Sequence, residues 1–301
     1  MVRLDGQGLQ TLYCSASTVA AGAPSSITDI QWSPDQHTVA FVEEFTPTVG
    51  GDYFPAYLHI LNASGGKVQK LTTILGTGPP PLAWLDNTHL YMLVASQVGP
   101  DGIYLLDTPN GGNASKIVPN SSFTGCLDFA GGYDGTKLFV SQCANYIGQT
   151  GGSHGLSSIT GRLATGGTPT AIYTTPAFAI TSLRLATTTS LLLLIENQTG
   201  DMSHNGLWKI NTDGTGLTQL ASEPVKTGDI TKTSQLNGLS RYPWANVSRD
   251  GRWYALEQNL NLIFGSMSGG LPTSFATLPG SSATYSSYGQ LESGIVGWTS
   301  L

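Results

Sequence analysis

The chain has 301 residues, a formal net charge of −6 and a sequence pI near 5.2, with 13 Lys and Arg against 19 Asp and Glu. Neutralising a phosphate backbone needs clustered cations, so this balance excludes a nucleic-acid-binding surface. Charged residues are only 11% of the chain while Gly numbers 38 and Pro 16, a composition poor in material for solvated helices and suited to an all-β chain with many turns.

No run approaches the roughly 18 apolar residues of a membrane span. The densest, Leu191 to Ile195, has the length of a buried strand, so no direct membrane insertion is expected. The first residues, MVRLDGQGLQTLY, lack the apolar core of a signal peptide. Three cysteines cannot make a disulfide framework. Cys126 and Cys143 fall on two strands joined by a short turn, where they are either two small buried thiols or a cross-strand disulfide, and the bonded form would favour an oxidising compartment. Cys14 has no evident partner.

In chain order, Val2 to Leu12 matches Lys209 to Leu220 in an Asp-Gly-x-Gly-Leu turn between two strands, so the N-terminus predicts the last two strands of a repeat. Ile27 to Thr72 holds four apolar-rich runs divided by Ser-Pro-Asp-Gln, a longer linker and Asn-Ala-Ser-Gly-Gly, which predicts one four-stranded antiparallel meander. The same unit recurs in rewritten form over about 80–118, 123–174, 178–221 and 241–278, and the chain stops inside another at 292–301. The apolar residue before each first turn is Trp32, Trp84, Phe129, Leu185, Val247 and Trp298, a spacing of about 53 residues that suits propeller blades with their loops.

The expectation is therefore a single domain over 1–301, a six-bladed β-propeller of four-stranded antiparallel blades, its ring closed by a blade shared between 292–301 and 1–13. The shared blade lacks a second strand in this sequence. Either it has three strands, or the chain is excised from a longer protein whose missing residues lie upstream of Met1 or beyond Leu301, and the second reading is preferred.

At Trp32-Ser33-Pro34-Asp35 and at Val247-Ser248-Arg249-Asp250-Gly251-Arg252-Trp253 the chain resembles the TolB-like, WD-type six-bladed β-propellers, whose repeat carries a Trp-Ser-Pro-Asp-Gly type of turn. Leu207 to Gly214 resembles the same family's third strand and following turn. The Ser and Asp of such a turn bond local amides and the Trp packs between blades, so these residues are structural. The resemblance implies a ring-shaped scaffold, often bacterial and extracytoplasmic, that makes protein contacts or joins a sensor or hydrolase domain; it implies no single activity.

Loop lengths carry the functional expectation. Links between first and second strands, and between third and fourth, are tight, as at Pro34 to Gln36, Asp213 to Gly216 and Ser268 to Gly270. The others are long and varied: Phe45 to Pro55, Ala144 to Ser157, Asn197 to Asn205, Ser222 to Arg241, Pro279 to Glu292. In a propeller these two sets leave opposite faces, and binding residues ride on long loops over a rigid scaffold. The long-loop face would carry Glu43, Glu44, Asp52, Tyr53, Phe54, Tyr146, His154, His204, Arg241, Tyr242, Trp244, Tyr285 and Tyr288. Aromatic rings among Gly and Ser suit a protein, peptide or glycan partner, or else simply pack the loops down.

The chemical motifs are weak. Gly151-Gly152-Ser153-His154-Gly155 fits Gly-x-Ser-x-Gly, but no helical segment follows to make the strained elbow that exposes a nucleophile. Glu43, Glu44 and Asp52 could seat calcium, although their spacing matches no ligand loop and a solvated acidic rim explains them as well. His37, His59, His89, His154 and His204 show no i, i+2 or i+4 pairing, so no transition-metal site is expected. Asn62, Asn113, Asn120, Asn197 and Asn246 begin Asn-x-Ser/Thr triplets and mark turns. The sequence thus predicts no catalytic residue and no cofactor. It favours a non-catalytic binding or sensing propeller, the extracytoplasmic part of a larger bacterial protein. The rivals are a propeller hydrolase or lyase acting on a glycan, lactone or peptide at the channel mouth, and a structural propeller supporting a neighbouring domain.

Overall fold

The computed structural model describes residues 13, 25–45, 54–62, 64–65, 68–76, 82–96, 99–119, 127–132, 135–143, 156–195, 197, 201, 203–222, 246–247, 252–258, 261–270, 273–277, 284–285 and 289–290. Every element among them is a strand. The first sheet is β1 (Ser25–Trp32), β2 (Thr38–Phe45), β3 (Phe54–Asn62) and β4 (Gln69–Gly76). The second is β5 (Leu82–Trp84), β6 (His89–Ser96), β7 (Gly99–Asp107) and β8 (Asn113–Pro119); the third is β9 (Leu127–Gly131), β10 (Lys137–Cys143), β11 (Ser157–Leu163) and β12 (Gly166–Thr175). The fourth is β13 (Ile180–Thr187), β14 (Ser190–Ile195), β15 (Gly206–Asn211) and β16 (Thr218–Ser222), and the fifth is β17 (Asn246–Val247), β18 (Trp253–Gln258), β19 (Asn261–Ser266) and β20 (Thr273–Thr277). A two-stranded pair, β21 (Thr284–Tyr285) and β22 (Gly289–Gln290), follows.

Each four-stranded sheet is an antiparallel meander paired in chain order. The first four sheets stack blade on blade, and their first strands β1, β5, β9 and β13 adjoin in succession, the arrangement of blades around a propeller axis. The expectation of six blades is overturned. Among the described residues there is no sixth four-stranded sheet, and the blade expected to be shared by 292–301 and 1–13 lies outside them, apart from Tyr13.

The period-two rule explains the stacking. Successive side chains of a strand point to opposite faces, and a blade has a neighbour on each face, so its inner strands are buried on both faces and rich in apolar residues. Leu82, Trp84, Leu90 and Met92 join Val42, Leu58 and Leu71 of the first blade. The alternating residues Ala83, Leu85, Tyr91 and Leu93 join Leu127, Phe129, Leu138 and Val140 of the third. β14 is buried at all six positions, Ser190 to Ile195. Each large side chain so enclosed contributes about 1.5–3 kcal/mol.

Polar side chains stitch the same seams. Trp84 Nε1 donates to the Gln31 carbonyl at 3.1 Å, and Tyr91 OH donates to the Ala164 carbonyl at 2.6 Å. The turns follow local chemistry. Ser33 Oγ donates to Asp35 Oδ1 at 2.6 Å and accepts from Thr38 N at 2.9 Å, while Gln36 takes a left-handed φ of 62°. Gly214, φ 89°, fills the corresponding place between β15 and β16, and a side chain there would also collide with the Ile172 carbonyl.

Candidate functional site

With strands alternating in direction, the links β2–β3, β6–β7, β10–β11 and β14–β15 leave the same face as the links between blades. This is the face expected to carry long loops, and one of its links, Ser96 to Gly99, is short. Three polar or aromatic arrangements stand near this face, and a groove lies on the opposite one.

In the first blade Glu43 turns inward instead of lining a solvated rim; it is 4% exposed. Its Oε2 lies 2.9 Å from His59 Nε2 and accepts from Tyr13 OH at 3.2 Å. A carboxylate acceptor requires a proton on Nε2, which leaves His59 Nδ1 as the other ring nitrogen, and that atom is buried with no hydrogen-bond partner among the described residues. Phe41 and His59 stack with centroids 5.2 Å apart, and Tyr13 lies tilted against Phe41 at 4.9 Å. Burial and then the Glu43 charge push the Tyr13 phenol above its ordinary range.

Between the third and fourth blades, Asp128 is 3% exposed. Its Oδ1 accepts from its neighbour Phe129 N at 2.9 Å. Its Oδ2 accepts from Leu183 N at 2.7 Å, Ser182 Oγ at 2.8 Å and Arg184 Nη1 at 3.2 Å. This carboxylate fastens the first strand of one blade to the first strand of the next.

The third arrangement lies at the long-loop end of the fourth blade. Phe178, on the link between β12 and β13, is buried and meets three rings: Trp208 at 6.1 Å and Tyr173 at 6.5 Å between centroids, both stacked, and His204 at 5.4 Å, tilted. His204 and Trp208 stack on each other at 6.0 Å, and Trp208 Nε1 donates to the His204 carbonyl at 2.7 Å, which sets the indole's orientation. Tyr173, His204 and Trp208 are half-buried.

A pair of buried asparagines holds this end rigid. Asn197 N donates to Asn205 Oδ1 at 2.6 Å and Asn205 Nδ2 returns to the Asn197 carbonyl at 3.0 Å, closing the β14–β15 link on itself. The Asn197 side chain also accepts from Ala179 N at 2.8 Å and donates to the Asp201 carbonyl at 2.6 Å. Asp201 projects into solvent, 66% exposed, and its Oδ2 lies 3.7 Å from His204 Nδ1. Hydrogen bonds from Ser203 Oγ and N hold its carboxyl below the usual range.

On the trimmed face, Pro34, Asp35, Asp86 and Asn87 line a shallow groove of about 290 Å³ where the first turns of two blades meet, tied by Asp35 N donating to Asn87 Oδ1 at 3.1 Å. Burial pushes both carboxyls up, but hydrogen bonds outweigh it: from Ser33 and His37 to Asp35, and from Thr88 and His89 to Asp86. Both end below the usual range. Among the described residues no group of three or more His, Cys, Asp or Glu is placed to hold a metal ion.

Of the residues expected at a site, the structure therefore describes the side chains of Glu43 and His204, and it does not bring these two together. Glu44, Phe54 and Tyr285 occupy strand positions, with their side chains outside the description. Asp52, Tyr53, Tyr146, His154, Arg241, Tyr242, Trp244, Tyr288, Cys126 and the 151–155 motif lie outside the described residues. Cys143 is disulfide-bonded, and the neighbouring pair in its sheet is Leu127↔Gln142. Sequence reasoning missed Phe178, Trp208 and Tyr173, because an aromatic residue in or beside a strand has the same pattern as core. It also read Asn197 as a turn marker, although Asn197 is buried.

Blades of four antiparallel strands stacked around adjoining first strands make this an all-β propeller. No protein-family model matches the chain, and no curated protein matches it in sequence. Among solved structures it is similar to an oligogalacturonate lyase from Vibrio parahaemolyticus, with a TM-score of 0.53 and 12% identity over 86% of this chain and 67% of that one. A chain of a nidogen/laminin complex gives a TM-score of 0.52 and 10% identity over 80% and 76%. A protein assigned as TolB from Agrobacterium tumefaciens gives 0.43 and 14% over 65% and 81%. At these identities the likeness is one of fold.

Proposed function

We propose that this propeller is a non-catalytic binding or sensing module, the extracytoplasmic part of a larger bacterial protein, with its ligand on the long-loop face. The observation that carries the reading is the aromatic cluster of Phe178, His204 and Trp208 at that face, fixed from below by the Asn197–Asn205 pair. The half-buried rings of His204 and Trp208, backed by the buried Phe178, bury area at little entropic cost, which favours binding. The buried carboxylate of Asp128 supports the same reading, since its contacts join blades. The disulfide at Cys143 supports an oxidising compartment.

A second reading, a propeller hydrolase or lyase, draws on the Glu43–His59 pair. A carboxylate holding one imidazole nitrogen while the other has no partner among the described residues is the form of an oriented base. A thermal-shift screen of sugars, peptides and lactones, with product analysis of each hit, separates the two. The binding reading expects a rise in melting temperature with the ligand recovered intact. Turnover that is lost in His59→Gln would establish the enzyme instead.

A further inference from the structure

We infer that the aromatic cluster on the fourth blade is a carbohydrate platform that takes neutral rather than acidic sugars; this rests on the binding reading above. A pyranose offers a C–H face of partial positive charge, bordered by hydroxyls. The π-faces of aromatic rings are negative and accept such a face. Against the buried Phe178, the rings of Tyr173 and Trp208 lie 16° and 20° from parallel and His204 is tilted by 31°, so the planes of the partly exposed rings are roughly aligned. Beside them stand hydroxyl-binding groups: the exposed Asp201 carboxylate, Ser203 Oγ and the ring of His204, 39% exposed.

Two further observations narrow the ligand. Trp208 lies on β15, which is paired on one side with β14 and on the other with β16, so an extended peptide finds no free ladder there. Among the described residues the exposed charge beside the cluster is the negative one of Asp201. Among the described residues the one ionic neighbour of Asp201 is His204, and the ammonium of Lys209, next in sequence to Trp208, is directed to the Met267 carbonyl at 2.8 Å. A uronic acid would bring its carboxylate against Asp201 on a chain of net charge −6.

The test is calorimetric titration of the whole chain with cellohexaose, mannohexaose, hexa-N-acetylchitohexaose and hexagalacturonate, and with a peptide library, each followed by product analysis. At least one neutral hexasaccharide is expected to bind saturably, about ten-fold or more tighter than hexagalacturonate. His204→Ala and Trp208→Phe, checked for an unchanged melting temperature, should each weaken it about five-fold or more. Asp201→Lys, likewise checked for an unchanged melting temperature, should raise hexagalacturonate affinity. Absence of neutral-sugar binding, equal or tighter hexagalacturonate binding, or binding indifferent to His204 and Trp208 overturns the inference. A peptide that binds through Trp208 in place of any sugar overturns it while leaving the binding reading intact. A sugar converted to products overturns the non-catalytic reading.

Discussion

Asp128 Oδ2 lies 3.2 Å from Arg184 Nη1, and this one carboxylate oxygen joins β9 to β13 across the seam between two blades. It also receives Ser182 Oγ and Leu183 N, so the pair is the ionic part of a satisfied inter-blade network. Removing one partner of such a pair costs more than the pair contributes, because the remaining groups stay buried without an acceptor. Asp128→Ala is expected to lose about 3 kcal/mol in denaturant unfolding. Arg184→Ala, which leaves the Ser182 and Leu183 donors satisfied, should lose about 1–2 kcal/mol. Equal losses would show that the ion pair alone matters.

Asp86 predicts a pH dependence. Its carboxylate accepts from Thr88 N at 2.7 Å and His89 N at 2.8 Å, and these bonds hold its folded pKa below the unfolded value of about 4 despite burial. A depressed folded pKa gives stability that is complete above the unfolded pKa and is lost as pH falls through the folded one. Asp86→Ala should therefore be less stable than wild type by about 0.5–1 kcal/mol near neutral pH, a figure reduced for its solvent exposure. The difference should vanish in strong acid. A gap that widens on acidification would reverse the sign of this argument.

Much of the blade pattern is legible in the sequence. The first-sheet hairpins stand where Ser33-Pro34-Asp35-Gln36 and Asn62 to Gly66 predict them, because turn residues bond their own backbone whatever lies around them. The number of blades was not legible in the same way. A spacing of first turns reports how often the unit recurs, whereas the count of blades depends on pairing between distant strands. The site was legible only at His204. Phe178 and Trp208 share the apolar pattern of Ile180 and Ile210, their neighbours in the same core cluster, and only the packing separates a ring at the seam's rim from one inside it. Glu43, adjacent to Glu44, looked solvated; its place in β2 opposite Tyr57 turns it onto His59.

Cys143 predicts a redox dependence. Cys126 directly precedes Leu127 in the sequence, and Leu127 pairs with Gln142, the residue before Cys143. Non-reducing peptide mapping should find Cys143 linked to Cys126, with Cys14 free. Cys143→Ser should cost about 2–4 kcal/mol in oxidising buffer. It should make the chain as stable as the reduced wild type. Linkage to Cys14 would instead tie the N-terminal segment to the third blade.

The central claim is that a ligand sits on the long-loop face at the fourth blade. Hydrogen exchange of the chain, free and saturated with whichever neutral oligosaccharide or peptide binds in titration, tests it most directly. The account predicts added protection in 176–180 and 201–208, with the turns at 33–37 and 85–89 unchanged. Protection confined to those trimmed-face turns, or to the strands around Glu43 and His59 together with turnover of the ligand, would contradict it.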